Sequence, residues 1–569
     1  LSSVVTVESS STLSDSLSLA GSIGLISSRF LVNAPFLNNK CNIMLAYRHT
    51  YLDLLIKPVL NSFLSNTSSF FRDYKYYFHD FNGGLIFEPG KKDKLNLSVY
   101  LGKDNYNLFR QSVNLQNIMN WGNDVVSLSW MHVFNENSFI NSTVSYSNYY
   151  FLLEGSQSEY RFELNSKTKS VGIKTEFKQF GTSNKIISGL EVFAHSFVPN
   201  DINAQTGMFL FDIKGINSQN AYESALFIED EYSINSRFQV TVGLRLSAFN
   251  QVGPFIEEVK DEIGLISDTI FYKKGESLAF YKHLDPRATI KYQINKSSSV
   301  KLSYMNIAQY VHLATSSSVS LPSDIWLPSS KEIKPQIGNQ VSAGYYHDIL
   351  KGNLEFSGEI YYKDMKNQLE FIRGIINSTL QSTLYDNISI GKGTSYGLEF
   401  YLRKKSGKTT GWASYTLSRT TREFDEINEG KIYPAKYDRR HNISLAMIRK
   451  LNKKWSISSV FVYYSGESLT IPIGRYMIQG NLLNEYGKIN EFKLPAYHRI
   501  DISITRKFFG KNGSFSELDL SIYNIYNRAN IFYIFFEVKG GLDNHYLKVS
   551  AKPVSLFPII PSISWKFKF

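Results

Sequence analysis

The chain has 569 residues, a formal net charge of +12 and a single cysteine, Cys41, so no internal disulfide and no cysteine-based metal site can form. Mean hydropathy is −0.21, and no apolar run approaches the roughly 18 residues of a spanning helix, which excludes a helical membrane protein. The basic excess is scattered, with no block longer than Arg403-Lys404-Lys405, and so gives no reason to expect a nucleic-acid partner. Aromatic residues reach 15%, with 37 Tyr and 40 Phe. That is high for a soluble protein and suits a membrane barrel, whose strand ends carry aromatic girdles.

Taken in chain order, residues 1–14 open on the short run Leu1–Val7 (LSSVVTV). From residue 15 to 569 the pattern predicts one all-β domain. Its first hairpin is Asp15–Leu25 with Arg29–Phe36, joined very tightly near Ile26–Ser28. Short polar turns are then expected near Leu37–Lys40, Glu88–Lys94, Asn135–Ser138, Gly181–Asn184, Ser233–Arg237, Asn295–Ser299, Leu350–Asn353, Lys405–Lys408, Leu451–Lys454 and Gly510–Ser514. Loop-rich stretches separate them, at Ile56–Tyr77, Leu108–Asn123, Leu152–Thr168, Pro199–Ser224, Asn250–Tyr281, Ala314–Pro335, Glu370–Thr394, Thr421–Asp438 and Leu469–Tyr497. Ten short turns alternating with long outer connections give a transmembrane antiparallel β-barrel of about 22 strands, with both ends on the short-turn side.

The strands themselves alternate. Phe238, Val240, Val242, Leu244 and Leu246 oppose Gln239, Thr241, Gly243 and Arg245, and Tyr396, Leu398, Phe400 and Leu402 oppose Gly397, Glu399, Tyr401 and Arg403. Leu354–Tyr362 and Leu518–Ile522 repeat the pattern. The side-chain period of a strand is two, so one face meets lipid and the other a wet lumen. The last strand is the clearest case: Ile563, Trp565, Phe567 and Phe569 point one way, and Ser562, Ser564, Lys566 and Lys568 the other. An oily outer face on the final strand is what barrel closure needs.

Several residues are candidates for ligand or lumen contact, each with a plainer structural role beside it. In Asp438-Arg439-Arg440-His441, alternation turns Arg440 inward with Asn442 and Ser444. A guanidinium there could grip a carboxylate, or belong to a charge ladder across strands. Arg499 and Asp501 share the inward face of Tyr497–Thr505 and could pair with each other. Trp121, Trp326, Tyr433 and Phe492 fall in expected outer loops or at their bases, where an aromatic face can stack on a ligand or simply pack. The ten histidines show no metal-ligand spacing, and there is no nucleophile elbow, phosphate loop or dinucleotide fingerprint. The expectation is therefore no enzyme, no metal and no cofactor.

A series of segments resembles the TonB-dependent receptors of bacterial outer membranes, in the form common in Bacteroidetes. They run from Gly24–Pro35 and Tyr47–Leu52 through Leu284–Tyr292, Leu321–Pro335, Ser395–Phe400, Tyr433–Ser444 and Leu494–Ile504 to Leu520–Ile531 and Leu556–Phe569. The resemblance implies a 22-stranded outer-membrane barrel with short periplasmic turns and long extracellular loops. It also implies energised uptake of a scarce ligand such as a siderophore, glycan or peptide. Asn527, Arg528 and Asn530 resemble the family's late asparagine-rich motif. The implied partners are outer-membrane lipid, an unknown ligand, a surface lipoprotein in some relatives, and the TonB-ExbB-ExbD system acting through a plug. Leu1–Val7 resembles only the end of such a plug, so the expectation is a barrel without its plug, taken from a longer protein. A passive channel and a structural scaffold docking another envelope protein are the alternatives.

Overall fold

The computed structural model describes residues 16–51, 74–110, 115–157, 160–206, 209–211, 218–261, 266–314, 324–372, 388–478, 481–510, 514–541, 546–555 and 557–569. The expected plug remnant at 1–14 lies outside them, as does most of the expected loop Ile56–Tyr77.

One antiparallel sheet holds 24 strands. Two of these, Phe209–Phe211 and Tyr433–Pro434, are short additions beside longer neighbours, which leaves 22 staves. The sheet closes on itself. The first stave, Ser18–Gly24, pairs with the last, Ile560–Lys568, in a register running from Ala20 opposite Lys568 to Gly24 opposite Ser564. Closure leaves no unpaired edge in the bilayer, the condition that lets a β-structure cross lipid at all. At the seam the Phe567 ring lies across Gly21, and a Cβ built on Gly21 would stand 2.6 Å from it. Trp565, Phe567 and Phe569 pack in succession with tilted rings, their centroids 5.4 and 5.8 Å apart.

Nine of the ten short turns fall where the sequence places them; the tenth, Gly510–Ser514, has its central residues outside the described ones, between strands that end at Phe509 and begin at Phe515. A recurring device explains why. Asn135, Asn235, Asn295 and Asn452 each turn the side-chain oxygen back to accept a backbone N–H two or three residues on, at 2.8–2.9 Å. That bond substitutes for the ladder at the point where the chain reverses. At Leu37–Asn39 and at Leu350–Lys351, consecutive residues adopt positive φ, the left-handed conformation a tight reversal requires.

Outward and inward faces also follow the alternation. Val242, Leu244, Leu246, Ile360, Tyr362, Leu398, Phe400, Ile563 and Trp565 stand exposed on the outer wall. On the lumenal face a charge ladder crosses the strands. Lys174 reaches Glu176 at 3.0 Å and Glu191 at 3.3 Å, and Arg245 reaches Glu191 at 2.6 Å.

The loop-rich stretches need correction. In their described residues, Leu108–Asn123, Leu152–Thr168 and much of Pro199–Ser224 are continuations of strands. Leu115–Asn135, Ser138–Gln157, Tyr160–Phe180 and Asn184–Thr206 run 20 to 23 residues, about twice what a tilted strand needs to cross the bilayer. Their upper halves form a wall above the membrane. Asn250–Tyr281 contains the hairpin Phe255–Lys260 with Ile266–Tyr272, and Leu469–Tyr497 contains Pro472–Ile478 with Asn481–Tyr486. The buried apolar clusters lie at the outer ends of the strands, where connections fold back. One joins Ala314, Ile325, Leu327, Ile333 and Phe371, and another joins Phe424, Ile427 and Tyr433.

Candidate functional site

The most chemically loaded cavity opens where two adjacent staves, Trp455–Tyr464 and Tyr497–Phe509, reach the outer mouth. Their register sets Tyr464 opposite Tyr497 and Val462 opposite Arg499. Rings of Tyr464 and Tyr497 stack 4.5 Å apart and nearly parallel, at 2°. Tyr523, at the end of the next stave, brings a third phenol, whose hydroxyl lies 3.2 Å from that of Tyr497.

Arg499 ties the three elements together. Its guanidinium donates to the Tyr497 hydroxyl at 2.6 Å, the Tyr523 hydroxyl at 2.8 Å and the Asp501 carboxylate at 3.0 Å, and it lies 4.4 Å over the Tyr523 ring. Asp501 in turn accepts the Asn524 backbone N–H at 2.9 Å. A second cation, Arg439, sits 3.9 Å above the Tyr464 ring and pairs with Glu467. The Nε of Arg439 is buried without a hydrogen-bond partner among the described residues. These groups, with Tyr437, Leu494, Phe532 and Phe557, line a cavity of about 430 Å³. Guanidinium forks and phenols directed into such a space recognise anions and hydrogen-bond acceptors, while the ring faces receive planar or ring-bearing groups.

The loops around the cavity are zipped together. Asn428 donates to the Ile489 carbonyl at 3.0 Å and accepts the Ile489 N–H at 2.8 Å, so one side chain satisfies both backbone groups of the facing loop. Asn490 adds a bond to the Pro434 carbonyl at 3.2 Å. Asp438, almost fully buried, accepts the Thr420 N–H at 2.7 Å and fixes the point from which Arg439 departs.

Of the residues singled out by sequence, Arg499 and Asp501 meet as alternation required and both belong to this corner of the lumen. Arg440 lies opposite Ser418 in the lumenal register and does not line the cavity; its neighbour Arg439 does. Tyr433 takes the packing role of the two open to it. It is 5% exposed and packs on Phe424 and Ile427, so it offers no stacking face, and burial pushes its phenol up. Trp121 is not in a loop: it lies on the upper part of Leu115–Asn135, stacked 6.3 Å from Tyr76. Trp326 sits in a short hairpin opposite Leu313, and Phe492 stays exposed opposite Leu469. Tyr464, Tyr497, Tyr523, Arg439 and Glu467 were missed. The one available signal was Tyr497 itself, on the same face as Arg499 and Asp501 at a spacing of two. Among the described residues, no group of three or more His, Cys, Asp or Glu is placed to hold a metal ion.

The family model for the TonB dependent receptor-like beta-barrel matches residues 46–527. Solved structures share the fold. The ferric-catecholate import receptor Fiu of E. coli K12, in its closed form, superposes with a TM-score of 0.65 at 13% identity, over 98% of this chain and 82% of that one. FpvA of P. aeruginosa, bound to a heterologous pyoverdine with iron, gives 0.65 at 12% identity over 97% and 71%. The ferric yersiniabactin uptake receptor FyuA of Yersinia pestis gives 0.63 at 10% over 97% and 80%. No curated protein sequence matches the chain. The family match spans most of the barrel, and with the closed 22-stave architecture it places this chain in the TonB-dependent receptor family, as an outer-membrane transport barrel.

Proposed function

We propose that the tyrosine–arginine chamber at the outer mouth captures a compact anionic ligand bearing planar or ring groups, for energised import. The observation that carries this is the meeting of Arg439 and Arg499 with Tyr464, Tyr497 and Tyr523 around one open cavity. The ferric chelates taken by the structurally similar receptors belong to that chemical class. Energy would enter through a plug pulled by the TonB system, while the barrel supplies the rigid wall and the selective vestibule. Glu467 and Asp501 hold the two guanidinium groups in place beforehand, so a ligand meets an ordered site and loses less freedom on binding.

The test is uptake and binding of a labelled ferric chelate by cells carrying the receptor, with and without TonB. Replacement of Tyr464 and Tyr523 by Leu keeps the apolar volume but removes ring faces and hydroxyls. It is expected to weaken binding by about tenfold or more, since stacking and one charged hydrogen bond contribute about 1–3 kcal/mol together. Unchanged binding by a correctly folded variant would remove the chamber from the ligand path.

A further inference from the structure

The outer wall carries a second, separate constellation near the rim opposite the short turns. His49 is the ninth residue of Cys41–Thr50, counted from its turn, and His79 the ninth of Tyr74–Phe87 counted from the other end. Lys103 is the eleventh of Asp93–Arg110. Each therefore reaches the level where a strand of nine to eleven residues leaves the hydrocarbon. The register puts them in one row across three adjacent staves, His49 opposite His79 and His79 opposite Lys103. This row faces outward, because the row beneath it on the same face is Tyr47, Phe81 and Leu101, of which Tyr47 and Leu101 stand exposed on the wall.

Rings hold the imidazoles in place. His49 and His79 have centroids 6.2 Å apart, Tyr47 stacks on His49 at 6.4 Å, and Tyr77 stacks on His79 at 6.4 Å. Among the described residues the His49 Nδ1 is buried without a hydrogen-bond partner, which leaves Nε2 as the ring atom that can meet a ligand, and Lys103 makes no ion pair. The carboxylates close by in sequence are engaged elsewhere: Asp80 pairs with Arg48, and Asp104 accepts from Tyr76. Asp124, on the outward face next to this patch, accepts from Asn148. Strands are about 4.8 Å apart, so the three groups present N–H donors across about 10 Å. An imidazole donates an N–H in either protonation state.

We propose that His49, His79 and Lys103 form a binding site for the phosphate headgroup of an outer-leaflet lipid, whose chains lie on Tyr47, Phe81 and Leu101. The amphipathic order selects this occupant. A hydrogen-bonding row that carries the Lys103 cation, directly above an apolar row at the membrane rim, matches an anionic headgroup above acyl chains, which neither a soluble anion nor a polar peptide supplies.

Native mass spectrometry of the full receptor in detergent micelles doped with diphosphorylated lipid A tests it. Wild type is expected to retain the lipid. Lys103→Ala, an exposed change that leaves the wall intact, is expected to weaken retention about fivefold, and with His49→Leu and His79→Leu tenfold or more. Dephosphorylated lipid A should be retained no better by wild type than by the triple variant. A large excess of inorganic phosphate should not displace the lipid. Equal retention by wild type and Lys103→Ala would overturn the proposal, as would equal retention of the dephosphorylated lipid. Displacement by inorganic phosphate would assign the row to a free anion, and zinc or nickel binding lost in His49→Leu/His79→Leu without any effect on lipid would assign it to a metal; both outcomes overturn the lipid site. Heat-modifiable migration confirms that each variant is a closed barrel.

Discussion

His312 makes the local stability of the outer mouth depend on pH. It lies in the short hairpin Val311–Ala314 with Ile325–Pro328, is fully buried, and shares a hydrogen bond between its Nε2 and the Ser329 hydroxyl at 2.9 Å. Its Nδ1 has no partner among the described residues. Burial pushes its pKa from 6.5 down to about 4, so the ring is neutral in the folded hairpin and must gain a proton when the hairpin opens in acid. Because the folded value is depressed, the stability is whole above pH 6.5 and falls as pH drops through the window from 6.5 to about 4. The full difference is about 3.4 kcal/mol, and at pH 5 about 2 kcal/mol of it is already lost, roughly a thirtyfold rise in opening. Hydrogen exchange of the hairpin amides at pH 7.5 and pH 5, corrected for the intrinsic rate, reads this directly. His312→Gln is the control: it retains a polar side chain toward Ser329 without a titrating ring and should flatten the slope. Equal protection at the two pH values, or an unchanged slope in His312→Gln, would refute the reasoning.

Two further perturbations probe the scaffold. Gly21→Val should place methyl groups in the space of the Phe567 ring at the closing seam, costing about 1–3 kcal/mol as overpacking. The variant should lose heat-modifiable migration at a lower temperature than wild type, and Phe567→Leu should partly restore it; no change would mean the seam has slack. Asn428→Ala removes both bonds to Ile489 and puts Ala at a φ of 52°. That should loosen the zipped loops by about 1–3 kcal/mol, seen as faster exchange at Ile489 and Asn490 with the barrel amides unaffected. Unaltered exchange there would show that the apolar contact of Ile489 with Phe424 and Tyr433 suffices.

The membrane-embedded part of this fold was legible because two solvents impose a code on it. Between a lipid wall and a wet lumen every second residue must be apolar, and Arg237–Leu246 or Ile563–Phe569 can then be read by eye. The turns were legible for a local reason, the asparagine that bonds its own backbone. Above the membrane the code persists although no lipid demands it. Tyr160–Lys167 (YRFELNSK) still sets Tyr160, Phe162 and Leu164 against Arg161, Glu163 and Asn165, and it continues the hydrogen-bonded ladder of the wall; it reads as loop only if each strand is taken to end at the bilayer surface. The packing of Tyr433 was not legible in this way, since an aromatic in a polar loop can pack inward or stand free, and only Phe424, Ile427 and Ile489 decide which.

The chamber shows a further limit, one set by register. Arg439 and Arg440 are adjacent and chemically identical, so the choice between them depends on where the strand His441–Lys450 begins its alternation. Asp438 settles it. By accepting the Thr420 N–H and closing a turn onto Ala435, it stops the strand pattern one residue short, so Arg439 leaves the wall toward Tyr464 while Arg440 stays in the row with Ser418. A single-residue shift exchanges the two faces. Tyr464 and Tyr497 then meet because two neighbouring staves end level, and Tyr523, on a stave that ends near Asp501, joins them through Arg499, a property of the closed sheet and not of any one segment. Moving that strand end by one residue would therefore exchange the cation that lines the chamber, with the barrel beneath left untouched.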